Sequence, residues 1–112
     1  MEFLKKKALR FYSKAIESFE KEEFDFAMLF LEQAIQLGLK FVISRKYGEI
    51  PKTHSLKLLF ELAEMKDFYI ENADTLREIE LAYTASRYFD VEYSKNTVEG
   101  CLKLAKKFLD SI

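Results

Sequence analysis

The sequence is poor in residues that bind metals, form disulfides or interrupt helices. Its 112 residues contain one cysteine, one histidine, one proline, three glycines and no tryptophan. The lone Cys101 excludes an intramolecular disulfide and a cysteine-based zinc cluster, and it fits a reducing compartment. With a single histidine as well, we expect no metal site and no cofactor.

The chain also lacks a charge excess and a long apolar run. Its formal net charge is -1 although 33% of its residues are charged, which argues against a strongly basic nucleic-acid surface but leaves local basic patches open. We expect no apolar run to approach the roughly 20 residues that span a bilayer. Polar residues interrupt the segment after Lys5-Lys6-Lys7, so it does not resemble a signal peptide. We therefore predict a cytoplasmic protein without membrane contact.

Apolar residues are abundant, at 49%, and they recur at helical spacing. No strand pattern and no glycine-rich dinucleotide loop is present. The sequence predicts one all-α domain over residues 1–112, an antiparallel up-and-down bundle of four to five helices. The predicted helices are residues 3–20, 24–45 and 56–65, a fourth that Asp74 caps, and a fifth that begins at Asn96. Residues 66–72 are predicted as a loop that packs back on the bundle, and residues 87–96 as an ordered loop.

The second predicted helix is apolar around nearly its whole circumference. A helix of this kind must be covered on most faces. Two interpretations remain open: part of the helix meets a second protein chain, or it is the central helix of its own domain. We predict the second chain.

The segment from Gly48 to Leu56 contains the only proline and the only histidine. Gly48 should end one helix, and Thr53 or Ser55 should cap the next. His54 is a candidate acid, base or nucleotide contact. The alternative is that it hydrogen-bonds the backbone and fixes the loop.

A second candidate site surrounds Arg87 near the end of a predicted helix. Tyr83 and Tyr88 flank it, and a guanidinium between aromatic rings can hold a phosphate. The alternative is a structural ion pair with Glu80, Asp90 or Glu92. From the residues alone both interpretations stand.

Taken together, these segments resemble the HEPN domain (higher eukaryotes and prokaryotes nucleotide-binding). The resemblance rests on Gln33-Ala34 with Leu39-Lys40, on Pro51-Lys52-Thr53-His54-Ser55-Leu56, and on Tyr83-Thr84-Ala85-Ser86-Arg87-Tyr88. It implies a helical bundle that homodimerises and pairs with a minimal nucleotidyltransferase in a toxin–antitoxin-like module. It also implies binding of nucleotide or RNA.

Many members of that family are metal-independent ribonucleases, whose site is an arginine followed after four to six residues by a histidine. The corresponding positions after Arg87 are Glu92, Tyr93 and Ser94, and none of these side chains replaces an imidazole. We therefore predict a non-catalytic binding module with Arg87, Tyr88, His54 and Tyr83 as ligand-binding residues and no catalytic residue. The alternative is a ribonuclease with a non-standard site around Arg87.

Overall fold

The structure is a computed structural model that describes residues 1–112 as six helices without strands. The bounds are α1 Glu2–Glu20, α2 Phe24–Tyr47, α3 Leu56–Leu62, α4 Lys66–Glu71, α5 Ala73–Tyr88 and α6 Lys95–Ser111. The all-helical bundle predicted from the sequence is confirmed. There are six helices rather than four to five because two of them are only one to two turns long.

Helices α1 and α2 form a long antiparallel hairpin. Phe19 and Phe24 face each other beside the connecting turn, with ring centroids 5.7 Å apart. Farther along, the rings of Phe11 and Phe30 lie 6.1 Å apart. At the far end Lys5 Nζ lies 5.7 Å from the Phe41 ring. The contacting residues run toward the start of α1 as they run toward the end of α2, so the two helices are antiparallel.

Helix α2 is the central helix, packed against α1, α3, α5 and α6. The expectation that no segment is long and apolar enough to span a bilayer is wrong for Phe24–Tyr47, which passes that test by length and composition. However, 72% of its most apolar window is buried inside the protein. The domain itself therefore covers most of α2, and the apolar circumference of this helix no longer requires a second chain.

The segment after residue 55 was expected as one helix followed by a loop, but it forms two short helices. Glu64 adopts a left-handed conformation, with φ of 61°, and this turn separates α3 from α4. The break brings Phe60, Phe68 and Tyr69 together, with the Phe60 centroid 5.6 Å from Phe68 and 5.7 Å from Tyr69. Phe108 from α6 joins them at 5.6 Å from Phe60. Phe68 and Tyr69 of helix α4 therefore pack against the core.

The helix ends agree with the sequence in part. Gly48 adopts the left-handed conformation that ends α2, as predicted. Ser55 caps α3, since its Oγ accepts a hydrogen bond from the Leu58 amide. Helix α6 is capped by Ser94 instead of Asn96, and Asp74 does not cap α5 but accepts a hydrogen bond from Arg77. The ordered loop between α5 and α6 is shorter than predicted, because the two helices extend to Tyr88 and back to Lys95.

Candidate functional site

Polar side chains converge on one cleft between α2, the segment before α3, and α5. The cleft has a volume of about 450 Å³ and is lined by Glu32, His54, Ser55, Glu80, Tyr83, Thr84 and Arg87. We call it the Arg87 cleft. Three of the four ligand-binding residues predicted from the sequence line it, namely His54, Tyr83 and Arg87. Tyr88 does not line the cleft but contacts Arg87 from outside.

Arg87 lies in the last turn of α5, where two tyrosine rings hold its side chain. Its guanidinium carbon is 4.7 Å from the Tyr83 ring centroid and 4.8 Å from that of Tyr88. One Nη2–H donates a hydrogen bond to the Tyr88 hydroxyl. The five ion pairs of the structure do not include Arg87, so the alternative pairing with Glu80, Asp90 or Glu92 is not formed. An exposed guanidinium with free donors and a fixed direction is suited to bind a phosphate or carboxylate.

His54 is connected to α2 through Gln36. His54 Nδ1 lies 2.9 Å from Gln36 Oε1, and Gln36 Nε2 lies 3.0 Å from Glu32 Oε2. In this arrangement the Gln36 amide nitrogen donates a hydrogen bond to Glu32, and the amide oxygen, which can only accept, faces His54. His54 Nδ1 must then carry a hydrogen and donate a hydrogen bond to Gln36 Oε1. In neutral His54 this leaves Nε2 as a free acceptor.

This side-chain bond differs from the backbone bond that was the alternative interpretation of His54. It still fixes the loop, because it joins the segment before α3 to the middle of α2. At the same time it orients the imidazole at the edge of the cleft. A structural role and a ligand-binding role for His54 are therefore compatible.

Glu32 is the residue that sequence reasoning missed. It is only 1% exposed, in the middle of the apolar central helix. Burial raises its pKa to about 7, and Glu80 contributes in the same direction, whereas hydrogen bonds from Gln33 and Gln36 and the charge of Lys40 act to lower it. The sequence does contain a pattern that indicates this polar face. Glu32, Gln36 and Lys40 follow at four-residue steps, which puts three polar side chains on one face of an otherwise apolar helix.

Glu80 does not form the ion pair with Arg87 that was the alternative considered from the sequence. Its Oε2 accepts a hydrogen bond from the Leu56 amide at 2.8 Å, in the first turn of α3. Together with Ser55 it satisfies two of the amide groups that a helix leaves free at its start. Helix α5 thus anchors α3 and, with it, the adjacent His54.

The three positions where the ribonuclease motif requires a histidine, residues 92–94, lie outside the Arg87 cleft. Ser94 caps α6, and Tyr93 packs partly against the core. Glu92 lines a separate small cleft of about 280 Å³ with Tyr93, Glu22 and Asp25. None of the three lines the Arg87 cleft. The structure also brings no three His, Cys, Asp or Glu side chains into a group that could hold a metal ion.

Fold and cleft define a small all-helical domain with a polar, arginine-containing site at the junction of its central helix and two neighbours. A family model described as HEPN domain matches residues 1–112, the whole chain, and the protein belongs to the HEPN domain family. Comparisons with curated proteins and with solved structures gave no significant match. Membership supports a nucleotide- or RNA-binding or ribonuclease-like module.

Proposed function

We propose that the protein is a non-catalytic HEPN binding module whose Arg87 cleft binds a phosphate group of a nucleotide or RNA. The observation that carries this proposal is the unpaired Arg87 guanidinium, held between Tyr83 and Tyr88 at the edge of a polar cleft. Two stacked rings fix the direction of the donors before a ligand arrives, which reduces the entropy lost on binding. The rings also offer stacking surfaces for a base.

Binding of ATP and of single-stranded RNA to the purified protein tests the proposal. Arg87→Ala should weaken the binding of ATP, and of RNA at the Arg87 cleft, at least about tenfold, since a charge-assisted hydrogen bond to phosphate contributes about 1.5–3 kcal/mol. Arg87→Lys should restore only part of it, because a lysine lacks the planar donor pair. Arg77→Ala is the matched control, an exposed arginine on the same helix that pairs with Asp74. Equal losses in Arg77→Ala and Arg87→Ala would contradict a specific role for Arg87.

The homodimer is proposed to form through the outer face of α5. Leu81, Phe89 and Tyr88 are the most exposed large apolar side chains of the protein, at 72%, 67% and 64%. Leu81 and Tyr88 are seven residues apart and lie on one face of the helix. Because Tyr88 contacts Arg87, this arrangement would place the clefts of two copies beside the shared interface.

Sedimentation of the wild type and of Leu81→Lys at micromolar concentration tests the dimer. The wild type should sediment as a dimer and Leu81→Lys as a monomer, since a charge would be buried without a partner. Ile70→Lys is the control, an exposed apolar residue of α4 at 60% exposure. A monomeric wild type, or loss of the dimer in both variants, would contradict this interface.

Pairing with a minimal nucleotidyltransferase in a toxin–antitoxin-like module is the last part of the proposal. It is supported by membership of the HEPN family alone. Tagged purification from the native cell, with mass spectrometry of what co-elutes, tests it. Recovery of a small nucleotidyltransferase in a stoichiometric amount is the expected result, and a protein that elutes alone would count against the module.

A metal-independent ribonuclease is the second candidate, and one observation favours it. His54 lies far from Arg87 in sequence, yet both line the same cleft, and the Gln36 bond leaves His54 Nε2 free to accept a proton. An imidazole near an arginine can remove the proton from a ribose 2′-hydroxyl while the guanidinium stabilises the phosphate charge. Cleavage of RNA that survives EDTA and is lost in both His54→Ala and Arg87→Ala would favour this enzyme over the binding module.

A further inference from the structure

A second recess lies between α1 and α2, apart from the Arg87 cleft. It has a volume of about 320 Å³ and is lined by Lys7, Arg10, Phe11, Lys14 and Phe30. We call it the basic groove. Phe30 lines the basic groove and Glu32 lines the Arg87 cleft, and two residues on a helix are separated by about 200° around its axis. The two sites therefore lie on opposite faces of α2 and share no residue.

One edge of the basic groove is a row of cations. Lys7, Arg10 and Lys14 follow at three- and four-residue steps along α1, so they occupy one face, and all three are exposed. Lys7 and Arg10 form no ion pair, and Lys14 reaches Glu17 only at 3.7 Å, between two side chains that are both more than half exposed. A pair of that kind contributes little and is easily exchanged for another anion.

The charge of this region differs from that of the whole chain. Residues 1–14 contain five of the 18 lysines and arginines but a single acidic residue, Glu2. The net charge of the whole chain is nevertheless -1, because the remaining residues carry an acidic excess. A local basic surface of this kind attracts anions irrespective of the total charge.

Two aromatic rings, Phe11 and Phe30, line the basic groove, and the ring of Phe26 lies next to Phe30. The Phe11 and Phe30 centroids are 6.1 Å apart, and the Phe30 and Phe26 centroids are 6.4 Å apart with an interplanar angle of 23°. Phe26 is 46% exposed, although burial is the usual state of a phenylalanine. Flat, accessible rings beside a row of cations combine a stacking surface with sites for phosphates.

We propose that the basic groove binds single-stranded RNA, with phosphates on Lys7, Arg10 and Lys14 and bases stacked on Phe30 and Phe26. Proteins that bind single strands without sequence preference combine a basic track with aromatic platforms in this manner. A duplex fits less well, because its bases are stacked on each other and cannot reach the rings. The site is independent of the Arg87 cleft and extends RNA contact to a second face of the domain.

Fluorescence anisotropy of a labelled oligouridine of about ten nucleotides provides the test. Three phosphate contacts on a single strand predict a slope of about -2 for log K against log salt concentration. In the Arg87→Ala background, Lys7→Gln, Arg10→Gln and Lys14→Gln combined should abolish most of the remaining affinity and bring the slope close to zero. Phe30→Leu keeps the groove apolar but removes the flat ring, and should weaken binding about fivefold or more at an unchanged slope.

Two controls separate this site from general charge effects and from the proposed cleft. Lys57→Gln, Lys66→Gln and Lys103→Gln combined make the same charge change at exposed lysines of α3, α4 and α6, and binding should weaken far less than in the groove variant. Arg87→Ala should leave the groove-dependent part of binding and its salt slope intact. Loss of all binding in Arg87→Ala alone would support the cleft and overturn the groove.

Three other outcomes would also overturn the proposal. They are no binding by the wild type at low salt, equal losses in the two triple variants, and duplex RNA binding as tightly as the single strand. A glutamate-rich peptide that contains phenylalanine is tested in parallel. If the peptide binds with the same dependence on Lys7, Arg10, Lys14 and Phe30 while RNA does not, the basic groove is a docking surface for an acidic protein. Circular dichroism of each variant confirms that loss of binding is not loss of folding.

Discussion

His54 Nδ1 lies 2.9 Å from Gln36 Oε1, and this bond joins the loop before α3 to the central helix. It is one end of a chain that continues through the Gln36 amide to the buried Glu32. The loop carries the only histidine and lines the Arg87 cleft. The stability of the domain and the shape of the cleft therefore depend on the same polar contacts.

Gln36→Leu should destabilise the protein and loosen His54. The change removes the acceptor of His54 and a donor to Glu32, whose pKa should then rise further because that hydrogen bond lowers it. We expect a loss of about 1–3 kcal/mol of unfolding free energy at neutral pH, the usual effect of a buried polar group that loses its partner. Urea unfolding measures it.

Gln33→Leu is the matched control for Gln36→Leu, because Gln33 also donates to Glu32 but has no bond to His54. Both variants should lose stability, and only Gln36→Leu should change the imidazole resonances of His54. Identical His54 spectra in wild type and Gln36→Leu would contradict the contact.

Glu32 should make the protein less stable as the pH rises. Its pKa is raised from 4.5 to about 7 in the folded state, so the folded protein binds the proton more tightly than the unfolded chain. The stability that comes from this tighter proton binding is fully present below the pKa of Glu32 in the unfolded chain. It is lost as the pH rises through the pKa of Glu32 in the folded protein, with a total change of about 3 kcal/mol. Glu32→Gln should abolish this dependence.

The measurement is the difference in unfolding free energy between Glu32→Gln and wild type at about pH 5 and about pH 8. Other titrating groups cancel in this difference. Glu32→Gln should gain stability relative to wild type toward the higher pH. A difference that does not vary with pH would show that Glu32 titrates normally.

Gly38→Ala should destabilise the protein although alanine favours helices. A Cβ at Gly38 would lie 2.7 Å from Phe108 Cε2 and 3.1 Å from Ile112 Cδ1, where α6 packs closely against α2. Overpacking of this kind costs about 1–3 kcal/mol, which exceeds the gain of about 1 kcal/mol in helix propensity. Thermal unfolding should show a lower midpoint.

Gly100→Ala is the control, since Gly100 lies inside α6 with nothing within 4 Å of the added Cβ. There the propensity gain stands alone and the midpoint should rise. If both substitutions stabilise, α2 and α6 are not as close as the structure places them.

Glu80→Ala should loosen the start of α3, because it removes the acceptor of the Leu56 amide. We expect a loss of about 1–2 kcal/mol, as for other caps and hydrogen bonds to charged groups. Glu80→Gln keeps an oxygen at the same place and should retain most of the stability. Hydrogen exchange at the Leu56 amide should speed up in Glu80→Ala and little in Glu80→Gln, and equal exchange in the two variants would contradict the cap.

Several features of this protein followed from the sequence alone. Helical spacing of apolar residues predicted the bundle. Gly48 and one of the two candidate caps, Ser55, marked helix ends correctly because caps depend on local backbone geometry. The same local rules failed at the start of α6, where Ser94 caps the helix and the predicted Asn96 does not. Three segments in order, Gln33-Ala34 with Leu39-Lys40, the His54 segment and the segment around Arg87, indicated the family, which the match over residues 1–112 confirms.

Only the tertiary structure decided which polar side chains meet. Gln36 and His54 are 18 residues apart, and Leu56 and Glu80 are 24 apart, so no local pattern connects them. Periodicity tells which face of a helix is apolar, but not which neighbour packs against it. The buried Glu32, the cleft that joins His54 to Arg87, and the coverage of α2 by its own domain all depend on that packing, because burial and hydrogen bonding are properties of the assembled helices.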